Sequence, residues 1–151
     1  ELVQNMRGLS MTRKFESLTK YIQQLKDDKF GDWVIDREND GTPEHPIHMP
    51  FVNYSDNVDF FREDVWRFME ENEDMELNRY RDILNENGIE WGSDSMSEAD
   101  VSSLNAQCVM ALIMGAIRAE RFCDGALLDF FENGSILKWL ERLKEIDEEQ
   151  S

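Results

Sequence analysis

Residues 108–117 read "CVMALIMGAI", ten positions in a row without a charge or a strongly polar side chain. A helix that is apolar on every side is packed all round by other elements. Such a stretch is too short to cross a bilayer, which takes roughly 20 residues, so it predicts the central helix of a bundle. We expect this helix, the longest in the chain, to run from about Glu98 to Cys123. Ser95 or Ser97, each with an acidic residue three positions on, predicts its N-terminal capping box.

Amphipathic patterns on both sides of this stretch predict the other helices of the bundle. Apolar residues recur at helical spacing in four further segments, Met11 to about Asp28, Ser55 (an N-cap) to about Asn72, Leu77 to Asn87, and Ala126 to Phe131. A last helix is expected after a cap at Ser135, with five apolar residues inward, Ile136, Trp139, Leu140, Leu143 and Ile146.

The segment "GDWVIDRENDGTPEHPIHMPFVNYS" has a different character and predicts a hairpin at about residues 30–54. Trp33 to Ile35 favours a strand, Asp40-Gly41 is typical of a hairpin turn, and Ile47 to Val52 is a second extended run. The fold class is therefore mainly α, a single-domain helical bundle around one buried central helix with one small β-hairpin. We expect the domain to cover residues 11–148, with 1–10 as an extension or trimmed start and 149–151 as an acidic tail.

The charge is strongly negative and unevenly distributed. The chain has 16 Lys and Arg against 33 Asp and Glu, a net charge of −17. Residues 1–29 are slightly basic, whereas Asp56 to Asp100 holds four basic and fifteen acidic side chains. Such a field repels nucleic-acid phosphates and anionic membranes and attracts cationic partners. We expect a basic protein partner, no direct nucleic-acid binding and no membrane association, although an acidic surface also simply promotes solubility. The oligomeric state does not follow from the sequence.

Two cysteines indicate the compartment. Cys108 and Cys123 lie on one predicted helix, about 22 Å apart at ~1.5 Å per residue, which is too far for a disulfide. We expect two buried free thiols and find no signal peptide, both of which are typical of a soluble cytoplasmic protein.

The apolar stretch ends in "RAERFCDG", which contains four charges, Arg118, Glu120, Arg121 and Asp124. Glu120 falls on the apolar stripe of the central helix, so its carboxylate needs a cation or several hydrogen bonds. One interpretation is an internal clasp, with Arg118 and Arg121 as the donors and Asp124-Gly125 as the turn. The alternative is a pocket for an anionic ligand built around the two arginines, with Glu120 as an acid or base if the protein is an enzyme.

No metal or cofactor is expected. "DRENDG" matches the start of a calcium loop through Asp36, Glu38 and Asp40, but position twelve is Ile47 where a bidentate Glu is required. His45 and His48, beside Glu44, could contribute to a zinc site, but Pro46 prevents a helical pair and no third ligand has a suitable spacing. We find no phosphate loop, Cys-x-x-Cys pair or Gly-x-Ser-x-Gly motif, and therefore assign no catalytic residue.

Two tryptophans are candidates for a partner surface. Trp91 lies in a loop between Gly88 and Met96, where it either covers the core or forms an exposed anchor for a partner. Trp66 lies at the margin of the apolar face of its helix and is the second candidate.

Four motifs, "MPFVNYS", "NRYRDILNENGIEWG", "RAERFCDGALL" and "NGSILKWLERLK", resemble a family of small bacterial proteins classed as a domain of unknown function. The resemblance covers Met11 to Glu148. It implies a cytosolic, mostly helical protein and no activity or catalytic residues.

Three functions remain open on this basis. The first is a non-catalytic module that binds a basic protein through its acidic middle region. The second is a protein or enzyme that binds a small anionic ligand at Arg118 to Asp124. The third is a nucleic-acid mimic that inhibits a basic protein by occupying its phosphate-binding groove.

Overall fold

The computed structural model describes residues 14–35, 39, 41–46 and 49–149. The fold is mainly α-helical with one two-stranded antiparallel hairpin, which confirms the predicted fold class. In chain order the elements are α1 (Glu16–Thr19), α2 (Tyr21–Lys26), β1 (Gly31–Val34), β2 (Phe51–Tyr54), α3 (Asp56–Glu71), α4 (Tyr80–Glu86), α5 (Ser93–Glu98), α6 (Ala106–Ala119), α7 (Ala126–Glu132) and α8 (Ser135–Glu149). Three 3₁₀ turns connect them, Glu73–Met75, Leu77–Arg79 and Val101–Ser103.

The central helix is α6, and every residue from Cys108 to Ile117 is buried. Helices α4, α7 and α8 pack around it, which explains why no face of this segment is polar. The backbone N–H of Cys108 donates to the side chain of Asn105 at 2.9 Å, so Asn105 is the N-cap. The predicted central position of this helix is confirmed.

The predicted limits of this helix, Glu98 to Cys123, are wrong at both ends. Before it, Ala99 and Leu104 are extended, because the short helix α5 and a 3₁₀ turn occupy this region. Neither serine of the predicted capping box caps α6, since the Ser95 hydroxyl accepts from Glu90 N and the Ser97 hydroxyl contacts the Ser135 hydroxyl. The Asn105 cap was visible in the sequence but was not predicted.

The first predicted helix is divided in two within the described residues, and Met11 lies outside them. Helices α1 and α2 meet at Lys20, and the inward residues Phe15, Leu18, Ile22 and Leu25 are buried as their spacing predicts. The chain enters α1 through a long-range contact, because Phe15 N donates to the Asp147 carboxylate of α8 at 3.0 Å. The two ends of the described chain are thus held together.

The hairpin forms, but its strands are displaced from the prediction. Strand β1 pairs with β2 so that Gly31 lies opposite Tyr54. The second strand begins only after Pro50, which has no N–H to donate to the ladder. Within the described part of the connection, a tight turn lies at residues 42–45, where His45 N donates to Thr42 O at 3.0 Å around Pro43. The predicted turn at Asp40-Gly41 lies partly outside the described residues and stays a prediction. Asp40 and Ile47 lie outside the described residues.

The other helix predictions are largely confirmed. Ser55 accepts a hydrogen bond from Val58 N and caps α3. The inward residues of α8, namely Ile136, Trp139, Leu140, Leu143 and Ile146, are all buried in one continuous core. The predicted cap at Ser135 is wrong, because Ser135 is the first residue of α8. Its N–H donates to the Asn133 side chain.

The cysteines differ from the prediction in one respect. Cys108 is a buried free thiol, but Cys123 is exposed, because α6 ends at Ala119 and the chain leaves the core there. Among the residues described, no helix is both long enough and apolar enough to cross a membrane.

Candidate functional site

A polar cleft of about 670 Å³ lies between α4 and the C-terminal end of α6. Its lining combines three arginines, two asparagine amides and two aromatic rings with few apolar groups, and comprises Asn78, Arg79, Tyr80, Arg81, Asp82, Asn85, Ile89, Glu90, Trp91 and Arg118. This volume is within the usual range for small-molecule sites. We call it the arginine cleft.

The packing of α4 on α6 positions the cleft. Tyr80, Ile83 and Leu84 of α4 are buried, so the helix presents its other face to solvent. Arg81 and Asn85 are four residues apart and therefore lie next to each other on that outer face. Arg118 is in the last turn of α6 and reaches the same cleft from the other side.

Trp91 forms one wall of the cleft. Its indole N–H donates to the backbone carbonyl of Gly115 at 3.0 Å, which fixes the ring against α6. A Cβ on residue 115 would lie 3.2 Å from Cδ1 of the indole, so glycine makes room for this contact. The Arg81 guanidinium carbon lies 4.6 Å from the centre of a Trp91 ring, a cation–π arrangement. Trp91 is half-buried, and the hydrogen bond to Gly115 favours the interpretation that it covers the core.

The three arginines of the cleft differ in how their charge is balanced. Arg79 lies 2.9 Å from the Glu76 carboxylate, 3.5 Å from Asp82 and 3.7 Å from Glu86. Neither Arg81 nor Arg118 has a carboxylate within 4.0 Å in the described part of the chain. Arg118 instead lies over Trp66, 5.2 Å from the ring centre. Two guanidinium groups of the cleft, the exposed one of Arg81 and the half-buried one of Arg118, therefore lie over tryptophan rings and have no carboxylate within 4.0 Å among the described residues.

The four charged residues of "RAERFCDG" do not form one site. Arg118 lines the arginine cleft, whereas Arg121 and Asp124 are exposed and do not line it. Glu120 is half-buried and faces the following turn, where its carboxylate accepts from the backbone N–H groups of Gly125 and Leu127, each at 3.0 Å. The prediction that Arg118 and Arg121 donate to Glu120 is wrong, because these backbone groups are closer to the carboxylate as the chain turns back on itself.

The third donor to Glu120 comes from the hairpin. The hydroxyl of Tyr54 donates to Glu120 at 2.7 Å and accepts from Leu128 N at 3.1 Å. Burial, followed by the neighbouring Glu120 carboxylate, raises the pKa of Tyr54 well above its usual value, so the phenol stays protonated and remains a donor. Glu120 and Tyr54 together satisfy the first N–H groups of α7, and this connects the hairpin, the end of α6 and α7.

The arginine cleft has few groups suited to nucleophilic catalysis. The residues that line it include no histidine, cysteine, serine or lysine, and its two carboxylates are those of Asp82, 3.5 Å from Arg79, and of the exposed Glu90. Cys108 is in the core, where burial raises the pKa of the thiol to about 11 and keeps it protonated at neutral pH. The arrangement suits recognition of an anion.

The metal-site alternatives have no counterpart among the described residues. No group of three or more His, Cys, Asp or Glu side chains in that part of the chain could hold a metal ion. Asp36, Glu38, Asp40 and His48 lie outside it. His45 is exposed in the hairpin connection.

Sequence reasoning missed most of the cleft. It identified Arg118 and Trp91 but treated Tyr80 and Arg81 only as part of a helix. A signal was present, since Asp56 to Asp100 contains four basic residues and two of them, Arg79 and Arg81, flank one tyrosine. Basic residues clustered in an otherwise acidic segment indicate a local requirement for positive charge.

The fold and the cleft define a mainly helical protein with a hairpin and a polar, arginine-lined site. The chain belongs to a family of unknown function, DUF6508, whose model matches residues 10–149. No curated protein matches this chain. No solved structure matches it either.

Proposed function

We propose that this protein is a non-catalytic binding protein that holds a small anionic ligand in the arginine cleft. The observation that carries the proposal is the pair of guanidinium groups, on Arg81 and Arg118, without a carboxylate within 4.0 Å. In a chain with 33 acidic and 16 basic residues, carboxylates are abundant enough to pair with both. Their stacking on Trp91 and Trp66 holds the charges in place instead.

Anion binding at this cleft is expected to depend on Arg81 and Arg118 and not on general charge. Replacing either arginine by glutamine should weaken the binding of an anion found in a thermal-shift screen of phosphate, sulfate, citrate and nucleotides by at least about 10-fold, since a charge-assisted hydrogen bond is worth about 1.5–3 kcal/mol. For the unaltered protein, a ligand at a hundredfold excess over Kd should add about 2.7 kcal/mol of stability.

Arg121→Gln is the matched control, because Arg121 is exposed on the same segment as Arg118 but does not line the cleft. It removes the same charge and should leave the affinity, measured by calorimetry, within about twofold, as expected for a screened surface charge. Equal losses in all three variants would show that binding is non-specific and would contradict the proposal.

A second candidate function is the docking of a basic protein on the end of α3. Glu70, Glu71, Glu73 and Asp74 are all exposed there, and none has a salt bridge among the described residues. The last turn of α3 contains no basic residue, so these charges repel one another and also oppose the helix dipole. A cationic partner would relieve both effects. A nucleic-acid mimic is the special case in which that partner is a phosphate-binding protein.

If a basic protein docks on the end of α3, its capture by this protein should be weakened by salt and should depend on the four acidic residues named above. A variant with all four residues changed to their amides should lose a partner that the unaltered protein retains from lysate at low salt. The control variant has the same number of changes at the exposed residues Glu16, Asp32, Glu132 and Glu141. If both variants lose the partner equally, only net charge matters and the docking site is excluded.

We also propose that the protein is bacterial and works in the cytoplasm. The free cysteines Cys108 and Cys123 support a reducing compartment, since an exposed thiol such as Cys123 is readily oxidised elsewhere. Fractionation of cells that express the untagged protein tests the location, and recovery outside the cytoplasmic fraction would contradict it.

A further inference from the structure

The two unpaired arginines of the cleft are held in the same way. In each case the guanidinium carbon lies over a tryptophan ring, at 4.6 Å for Arg81 on Trp91 and 5.2 Å for Arg118 on Trp66. A guanidinium that packs over an aromatic ring still has N–H donors on its outer edge, which can bind a carboxylate or phosphate in a bidentate manner. Each pair therefore presents a planar set of donors with a reduced choice of conformations.

The donors also have a defined spatial relation to each other. Arg81 is carried by α4 and Arg118 by α6, and these two helices pack directly against one another. Trp91, which supports Arg81, is hydrogen-bonded to the α6 backbone at Gly115. Arg118 is thus carried by the buried helix α6, and the tryptophan that supports Arg81 is fixed to the same helix.

The cleft is larger than one oxyanion needs. Its volume of about 670 Å³ is that of a metabolite-sized ligand and not of a single carboxylate or phosphate group. The third arginine, Arg79, lies within 4.0 Å of three carboxylates, those of Glu76, Asp82 and Glu86, so it adds no free positive charge. Glu90 also lines the cleft, so Arg81 and Arg118 are the positive groups left to bind an anion. The amides of Asn78 and Asn85 provide neutral donors and acceptors for the part of a ligand between two anionic ends.

Resting on the proposed function, we infer that the ligand carries two separate oxyanion groups, one bound by Arg81 and the other by Arg118. Dicarboxylates and bisphosphates share this chemistry. Each group would meet one tryptophan-backed guanidinium, and the body of the ligand would lie along Trp91. No covalent step is involved.

The test compares matched pairs of anions by calorimetry at constant ionic strength. Succinate, glutarate and adipate are compared with butyrate, and fructose 1,6-bisphosphate with fructose 6-phosphate. In at least one series, a ligand with two oxyanion groups should bind about 10–100-fold more tightly than its counterpart with one, because it gains a second set of charge-assisted hydrogen bonds. Which series binds identifies the oxyanion as carboxylate or phosphate.

Variants then assign the two ends. Arg81→Gln and Arg118→Gln should each reduce the affinity for the ligand with two oxyanion groups to about that for the ligand with one, while Arg121→Gln should have no effect beyond twofold. Melting temperatures of the variants without ligand show whether a loss of binding comes from unfolding. Arg118→Lys, which keeps the charge but not the planar donors, should still lose most of the preference for two oxyanion groups.

Two results would overturn the inference, and only the second would also overturn the proposed function. Equal affinity for ligands with two oxyanion groups and with one, with only one arginine contributing, would leave the proposed anion site in place but exclude a ligand with two oxyanion groups. No binding by any member of either series would overturn this inference together with the proposed function.

Discussion

Replacing Glu120 with alanine is expected to lower the free energy of unfolding by about 2–4 kcal/mol. The carboxylate accepts hydrogen bonds from Tyr54, Gly125 and Leu127, and alanine leaves all three donors without it. A donor that loses its partner in a poorly solvated site costs about 1–3 kcal/mol, and because Glu120 is only half-buried, water can replace part of the loss.

The loss of stability on replacing Glu120 has a further cause besides the three hydrogen bonds. Gly125 is the N-cap of α7 and Leu127 lies in its first turn, where a negative charge also interacts favourably with the helix dipole. In Glu120→Gln the remaining oxygen can take the place of Oε1, which accepts from Tyr54, Gly125 and Leu127, but the N–H₂ group then faces Gly125 N, so the change should cost about half as much as alanine. Urea denaturation followed by circular dichroism measures both values.

Glu141→Ala is the matched control, because Glu141 is an exposed glutamate of α8. Its change in stability should be within about 0.5 kcal/mol, as is usual for a surface site. If the Glu120 and Glu141 variants unfold alike, the carboxylate of Glu120 does not hold the turn, and the connection between hairpin, α6 and α7 must have another basis.

Trp139→Ala is expected to cost still more, about 3–5 kcal/mol, which is a large part of the roughly 5–15 kcal/mol that stabilises a domain. The Trp139 side chain is completely buried, and its ring lies 5.6 Å from that of Phe130. It stands on α8, which packs against α1, α2, α6 and α7, so its removal leaves a cavity in the core. The urea midpoint and slope provide the measurement.

Trp139→Phe separates packing from hydrogen bonding. The indole N–H of Trp139 is buried without a hydrogen-bond partner among the described residues. Phenylalanine removes this polar atom and fills most of the space, so the loss should stay below about 1.5 kcal/mol. Phe60→Ala, at a site 55% exposed on α3, should change stability by less than about 0.5 kcal/mol. A loss below about 1 kcal/mol for Trp139→Ala would show that α8 does not pack as described.

The candidate site was predictable only in part. Arg118 and Trp91 were identified from their own surroundings, as a charge after an apolar stretch and a tryptophan in a loop. The sequence did not predict that they lie in one cleft with Arg81, because this depends on how α4 packs on α6. The donors to Glu120 were also missed, since Tyr54 is 66 residues away along the chain and backbone N–H groups carry no signature in a sequence.

The amino-acid sequence alone specifies the features that depend on neighbours a few residues apart. The uninterrupted apolar run of α6, the Ser55 cap of α3 and the inward face of α8 all follow from local periodicity and capping chemistry, and all three are present in the structure. The predicted boundaries of α6 were wrong, because the apolar content of a segment does not show where a backbone carbonyl or N–H group has a partner outside the helix.

The tertiary structure alone brings Arg81 and Arg118 to one cleft and joins Tyr54, Glu120 and α7 in one network. These contacts join residues far apart in the chain, and their geometry depends on the packing of whole helices and not on the residue types at each position. A charge in the sequence has no known counterion until the fold brings one close or keeps it away. The proposed function rests on that difference between Arg79, which has carboxylates around it, and Arg81 and Arg118, which do not.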